Sequence, residues 1–186
     1  MKKTTALLSA SLVALCAFAA PAAQAAGNGW QWLPAVNDPS WKPEASVAVT
    51  GNRTDPGTGP SATGWGVDVN LNCGLVQSPD NRIRTHVNIS HTNKNGTSVN
   101  AFELSPRYTV PLGDGLSVGV GPSLGLFRVN TPTASGSLPG LGVAGGVNYR
   151  SGMLYTGFDV RYHSTATRNG VDHDPLTFGA KVGVNF

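Results

Sequence analysis

An all-β fold, eight antiparallel strands running up and down into a closed barrel, follows from three features of this 186-residue sequence. The composition is poor in charged helix formers and rich in turn formers, with 12% charged residues, 24 Gly and 13 Pro. A typical soluble domain is about 25% charged, and Gly and Pro cost a helix interior roughly 1 and 3 kcal/mol. An alternation of apolar and polar residues recurs along the chain, which places one residue class on each face of a strand. The gaps between alternating stretches are too short for a crossover helix, so successive strands form antiparallel hairpins. The glycines keep no collagen period, and 40% apolar residues exclude wholesale disorder.

The first segment is an address. Met1-Lys2-Lys3 precedes an apolar run from Ala6 to Ala20, and Ala23-Gln24-Ala25 presents the small-x-small pattern of a cleavage site. The run is shorter than the roughly 20 residues of a spanning helix. Leu15 before Cys16 does not fit a lipoprotein signal. Residues 1–25 are therefore expected to be a cleaved signal peptide, 26–43 a periplasmic N-terminal segment and 44–186 the barrel. Loss of Lys2 and Lys3 lowers the formal charge from +3 to +1, so no nucleic-acid partner is expected. Cys73 is left without a disulfide partner.

Residues 45–52 form the weakest alternating stretch. In 64–73, Trp65, Val67, Val69, Leu71 and Cys73 oppose Gly64, Gly66, Asp68, Asn70 and Asn72. In 82–90, Ile83, Thr85, Val87 and Ile89 oppose Arg82, Arg84, His86, Asn88 and Ser90. In 102–110, Phe102, Leu104, Tyr108 and Val110 oppose Glu103, Ser105, Arg107 and Thr109. Stretches 116–126, 141–150, 154–163 and 176–186 bring the strands to eight. Longer connections (54–61, 91–97, 130–139, 164–175) alternate with shorter ones (77–81, 111–115, 151–152), and Asp-Pro-Gly, Asn-Gly and Gly-Asp-Gly supply their turn chemistry. Closing the meander removes its exposed edges.

Alternation leaves open which face points inward. A soluble carrier barrel holds apolar residues inside, and a membrane barrel shows them to lipid. Glycines crowd the polar face (Gly64, Gly66, Gly119, Gly121, Gly125, Gly142, Gly146, Gly157, Gly179, Gly183), as the narrow bore of an eight-stranded barrel requires. On the apolar face, Trp65 and Tyr162 mark one rim and Tyr108, Tyr149 and Phe186 the other, the pattern of two interfacial girdles. Both observations favour a transmembrane barrel.

Phe186 ends the chain on a strand, and over roughly 44–186 the sequence resembles the small eight-stranded outer-membrane barrels of the opacity/OmpX-like family. The resemblance rests on the patterns of 116–126 and 179–186. It implies the outer membrane of a Gram-negative bacterium, periplasmic termini and a terminal Phe186 read by the barrel-insertion machinery. It further implies a monomeric, non-enzymatic envelope scaffold or surface-interaction protein without cofactor or metal, whose partners are outer-membrane lipid and lipopolysaccharide; any surface partner is left unidentified.

Asp68, Glu103 and Asp159 are expected inside the barrel with Arg82, Arg84, Arg107, Arg150, Arg161, Lys181, His86 and His163. Charges in a narrow interior must pair, which makes a plugged lumen the expectation and an anion conduit the alternative. Hairpin arithmetic sets His86 opposite Glu103, Asp159 near Lys181, and Pro106 opposite Pro122. An enzymatic alternative comes from the lipid A deacylase family, with its His-x-Ser pattern on a late strand. Here His163 and Ser164 are adjacent, with Asp172 following, so on a regular strand the first two point to opposite faces. Arg53, His91 and Arg128 fall on the outward face at the far rim and could meet lipopolysaccharide phosphates. Cys73 is expected to face lipid. The Trp30-, Trp32- and Trp41-bearing segment is either an interfacial anchor or a free tail.

Overall fold

Eight of the strands close on themselves. The computed structural model describes residues 29–57, 59–168, 171 and 173–186; the expected signal peptide and Asp172 lie outside them. Along the chain run β1 (Gln31–Trp32), α1 (Pro34–Asn37), β2 (Ala45–Asp55), β3 (Ala62–Asn72), β4 (Val76–Gln77) and β5 (Ile83–Lys94). They are followed by β6 (Thr97–Gly113), β7 (Leu116–Asn130), β8 (Ser135–Ser151), β9 (Leu154–Thr165) and β10 (Leu176–Asn185). Strands β2, β3 and β5 to β10 pair antiparallel in order, and β10 closes on β2. No helix among the described residues is long and apolar enough to cross a membrane. The end carrying the C-terminus is called the near end below, and the opposite one the far end.

Burial in the wall is inverted relative to a water-soluble protein. Arg107, Arg161, His86, His163, Asp68 and Asp159 are among the largest fully buried side chains, whereas Trp65, Val120 and Val49 are 66%, 65% and 63% exposed. Charged residues are almost never fully buried unless paired, so the pattern identifies the bore as the polar face and the outside as the apolar one. The carrier-barrel alternative required the reverse. The glycines act as expected: a Cβ on Gly157 would lie 2.6 Å from the Val147 carbonyl and 2.9 Å from Lys181 Cε.

The strands run further at the far end than the alternation suggested. Strands β5 and β6 join through Asn95 (φ 52°) and Gly96 (φ 78°), a two-residue turn with both residues left-handed. The ladder therefore continues through 91–94, and the register moves: His86 lies opposite Ser105, and Glu103 opposite Asn88. The expected His86–Glu103 pairing is thus corrected by the tighter turn. Likewise β7 and β8 pair up to Asn130 opposite Ser135, so residues 131–134 alone form that connection.

Between β6 and β7 the register is the same on either side of a gap, Leu104 opposite Leu124 and Tyr108 opposite Val120, which places Pro106 across from Pro122. Two residues without N–H share one level, so the lost ladder bonds are confined there.

Two short strands form a cap at the near end. Strand β1 pairs with β4, and the Leu33 N–H donates to the Leu75 carbonyl at 2.7 Å. The 73–82 connection is consequently longer than the short turn expected at 77–81. Cys73 and Ile83 fall on the outward face by alternation, yet they are only 6% and 5% exposed. The connection after Cys73 folds back so that the Gln77 side chain bonds both the N–H and the carbonyl of Ile83, and the N-terminal segment pairs with that connection. Cys73 is a covered thiol, and the segment around Trp32 and Trp41 is docked on the connection beside it.

Candidate functional site: the lumen and its mouths

The centre of the bore holds a connected ion network. Lys181 Nζ lies 2.7 Å from Asp159 Oδ2 and 3.3 Å from Asp68 Oδ1. Arg107 donates to the other oxygen of Asp159, and His86 Nδ1 is 3.2 Å from Asp68. The expected closeness of Asp159 and Lys181 is present. From His86 the chain of contacts runs through Asn70 (2.6 Å) to Arg84 Nε (2.7 Å) and Glu44 (2.8 Å) at the near mouth. Arg84 therefore belongs to the mouth and not to the central cluster. Arg82 does too, at 3.0 Å from Asp80. Hydrogen bonds from Ser78 and then Tyr108 hold the Asp80 carboxyl below the usual carboxylate range.

A second polar layer lies towards the far end. Glu103 sits 3.5 Å from both Arg161 Nε and His163 Nδ1, and Arg161 Nη2 donates to Asn52 Oδ1 at 3.2 Å. His163 Nε2 is 2.8 Å from Ser123 Oγ, which shares a 2.7 Å hydrogen bond with Ser105. Ser123, Ser105 and Asn70 alternate with apolar residues in the sequence and so share the polar face, but only the register shows whom they meet. Above this layer Phe127 packs edge-on against His163 and His173, with centroids 5.0 and 5.6 Å apart. Ala101, Val129, Leu138 and Val171 complete an apolar stopper. Along its axis the bore thus passes from ion pairs to an apolar layer.

These contacts also decide the chemistry of His163. Its partner is Ser123 across the bore; Ser164 belongs to the opposite face of β9, and Asp172 lies outside the described residues. Ser123, His163 and Glu103 are the residue types of a nucleophile triad. Ser123 is nevertheless 0% exposed, and neither mouth cavity is lined by Ser123 or His163. Asp68, His86 and Asp159 form a close acidic and imidazole group, but Lys181 and Arg107 already occupy its oxygens.

On the outside, Trp65, His91, Asn100, Arg128 and Ser137 lie on one row across β3, β5, β6, β7 and β8. Arg53 is further towards the far end, between Phe178 and Thr63. Arg53 and Arg128 are exposed, and His91 Nδ1 is 2.9 Å from Asn100 Oδ1. Phe186 is 76% exposed and its N–H donates to the Ala45 carbonyl at 2.8 Å.

No family model and no curated protein matches the chain in sequence. Among solved structures it is similar to the N-terminal β-barrel domain of Pseudomonas aeruginosa OprF, with TM-score 0.58, 13% identity and coverage of 77% of this chain and 97% of that one. It is similar to Neisserial surface protein A at TM-score 0.52 and 16% identity, covering 77% and 95%. It also resembles Ail, the attachment invasion locus protein of Yersinia pestis, at TM-score 0.50 and 11% identity, covering 78% and 100%. The chain has the fold of the small eight-stranded outer-membrane β-barrels.

Proposed function

We propose that this protein is a monomeric, non-enzymatic barrel of the Gram-negative outer membrane, a plugged scaffold that presents its far end to the cell exterior with both termini in the periplasm. The inversion of burial carries the reading: an exposed belt of Val, Leu, Ile and aromatic side chains around a bore of paired charges is stable only with hydrocarbon outside. The plugged reading is supported by the Asp68–Lys181–Asp159–Arg107 network and by the Phe127–Leu138 layer above it.

Arg53, His91 and Arg128 point outward just past the apolar belt, where lipopolysaccharide phosphates would accept their hydrogen bonds. Exposed Phe186 is positioned for the barrel-insertion machinery during assembly. The N-terminal cap lies on the lipid side of the wall, and its exposed Trp32, Leu33, Val36 and Leu75 continue the apolar belt at the near interface. Expression in a Gram-negative host should give an outer-membrane protein whose gel mobility changes on boiling, and planar bilayers should show no steady conductance. Recovery in the soluble periplasm would end the membrane reading, and a steady conductance would end the plug.

A further inference from the structure

The ion pairs of the bore are complete at its centre and incomplete at its near mouth. In the centre, Asp68, Glu103 and Asp159 meet Arg107, Arg161 and Lys181. At the near mouth, Asp80 takes Arg82 at 3.0 Å and Glu44 takes Arg84 at 2.8 Å. Arg150 has no carboxylate partner among the described residues. Its Nε reaches Ser46 Oγ at 3.5 Å, its guanidinium lies 4.9 Å over the Tyr155 ring, and its Nη2 is buried without a hydrogen-bond partner. A partly buried cation without a counterion is costly, and the cost falls when an anion is supplied.

The space for one is present. A cavity of about 670 Å³ opens at this mouth, lined by Arg150, Arg84 and Arg82 with the Arg82-paired Asp80, by Thr109 and Ser117, and by the Gly113–Asp114–Gly115 turn. Guanidinium forks match phosphate oxygens in pairs. The Thr109 hydroxyl on β6 can take up a further oxygen, which a two-oxygen carboxylate would leave it without. We propose that this mouth is a phosphate-binding site, with Arg150 as its principal ligand and Arg84 as its second. The phosphate belongs either to a free inorganic ion or to a phospholipid headgroup reaching round the rim. The site lies apart from the surface-presenting role above and does not depend on it.

The test uses the full mature chain folded in an uncharged detergent and in lipid nanodiscs. Titration of inorganic phosphate, followed by calorimetry and by phosphorus NMR line width, should show saturable binding to the wild type. Binding should weaken about tenfold or more in Arg150→Gln, survive in part in Arg150→Lys, and tighten in Glu44→Gln, which frees Arg84. Arg168→Gln, an exposed arginine of the far-end connection after β9, should bind as the wild type does. Unchanged heat-modifiable mobility shows that each variant has folded. If a headgroup is the natural occupant, the phosphate binding seen in detergent should be suppressed in phospholipid nanodiscs, whose headgroups carry a phosphodiester; equal binding in detergent and nanodiscs assigns the site to the free ion. Absence of saturable binding in detergent, or equal affinity in the wild type and Arg150→Gln, overturns the proposal.

Discussion

Replacing Lys181 by Met tests whether the central charges hold the barrel together. Lys181 is the shared cation of two buried carboxylates, at 2.7 Å from Asp159 and 3.3 Å from Asp68, with side-chain exposures of 0%, 2% and 0%. Methionine keeps most of the stem's volume and removes the charge. Asp159 would keep Arg107, while Asp68 would keep only His86 at 3.2 Å. Removing one member of a buried pair costs about 3–5 kcal/mol, and the surviving Arg107 contact sets the expectation at about 3 kcal/mol. Adding Asp68→Asn removes the stranded carboxylate and should recover about 2 kcal/mol of that loss, a coupling that only contacting groups show. The assay is reversible urea unfolding from lipid vesicles, followed by tryptophan emission and by gel mobility. A Lys181→Met loss below about 1 kcal/mol, the size of an ordinary substitution, would refute the network's structural role. So would an Asp68→Asn change that deepens the defect.

Gly157→Val should cost about 1–3 kcal/mol in the same assay through overpacking against Val147 and Lys181. Gly51→Ala, with nothing within 4 Å of the new methyl, should stay within about 0.5 kcal/mol of the wild type. Val120→Arg, at a position 65% exposed, should cost about 2–4 kcal/mol in bilayers; a neutral result would mean that Val120 does not face hydrocarbon. In a variant with Trp30, Trp41 and Trp65 replaced by Phe, brominated lipids should quench Trp32 emission strongly, and quenching by aqueous iodide alone would place the cap away from the membrane.

Period and composition made the barrel legible because a wall strand obeys one rule, hydrocarbon on one side and a narrow polar bore on the other. Parity therefore assigned Asp68, Glu103, Arg107, Asp159, Arg161 and Lys181 to the interior. Register was less legible, since it depends on which residues of a connection turn. Asn95-Gly96 was visible as turn chemistry, but whether 91–94 joined the ladder was a question of tertiary pairing, and the His86 partner moved with the answer. Cys73 followed the parity rule and was still misassigned, because the cap that covers it comes from residues 30–44, where no alternation signals a strand. The meeting of His163 with Ser123, forty residues away in the chain, follows only from closing the barrel.

The polarity code also reverses within single strands, and the point of reversal measures the membrane. Along β7, Leu116, Val118, Val120, Leu124 and Leu126 face outward and are 37–65% exposed, while Ser117, Gly119, Gly121, Ser123 and Gly125 face the bore. Beyond Leu126 the assignment switches: Phe127 and Val129 turn inward at 2% and 3% exposure, and Arg128 turns out. From Leu116 to Leu126 the strand advances about 33 Å at roughly 3.3 Å per residue. A tilt of about 40° converts that to roughly 25 Å of height, the thickness of a barrel's apolar band. The far third of the barrel is then built for water, apolar inside and polar outside. Such an extension gains nothing from lipid and must supply its own core, which is why Ala101, Phe127, Val129, Leu138 and Val171 cluster there and nowhere else among the described residues. The apolar layer over the ion network is thus the core of the aqueous extension, so enlarging the bore at Phe127 should cost stability and, if the bore is plugged as proposed, open it as well.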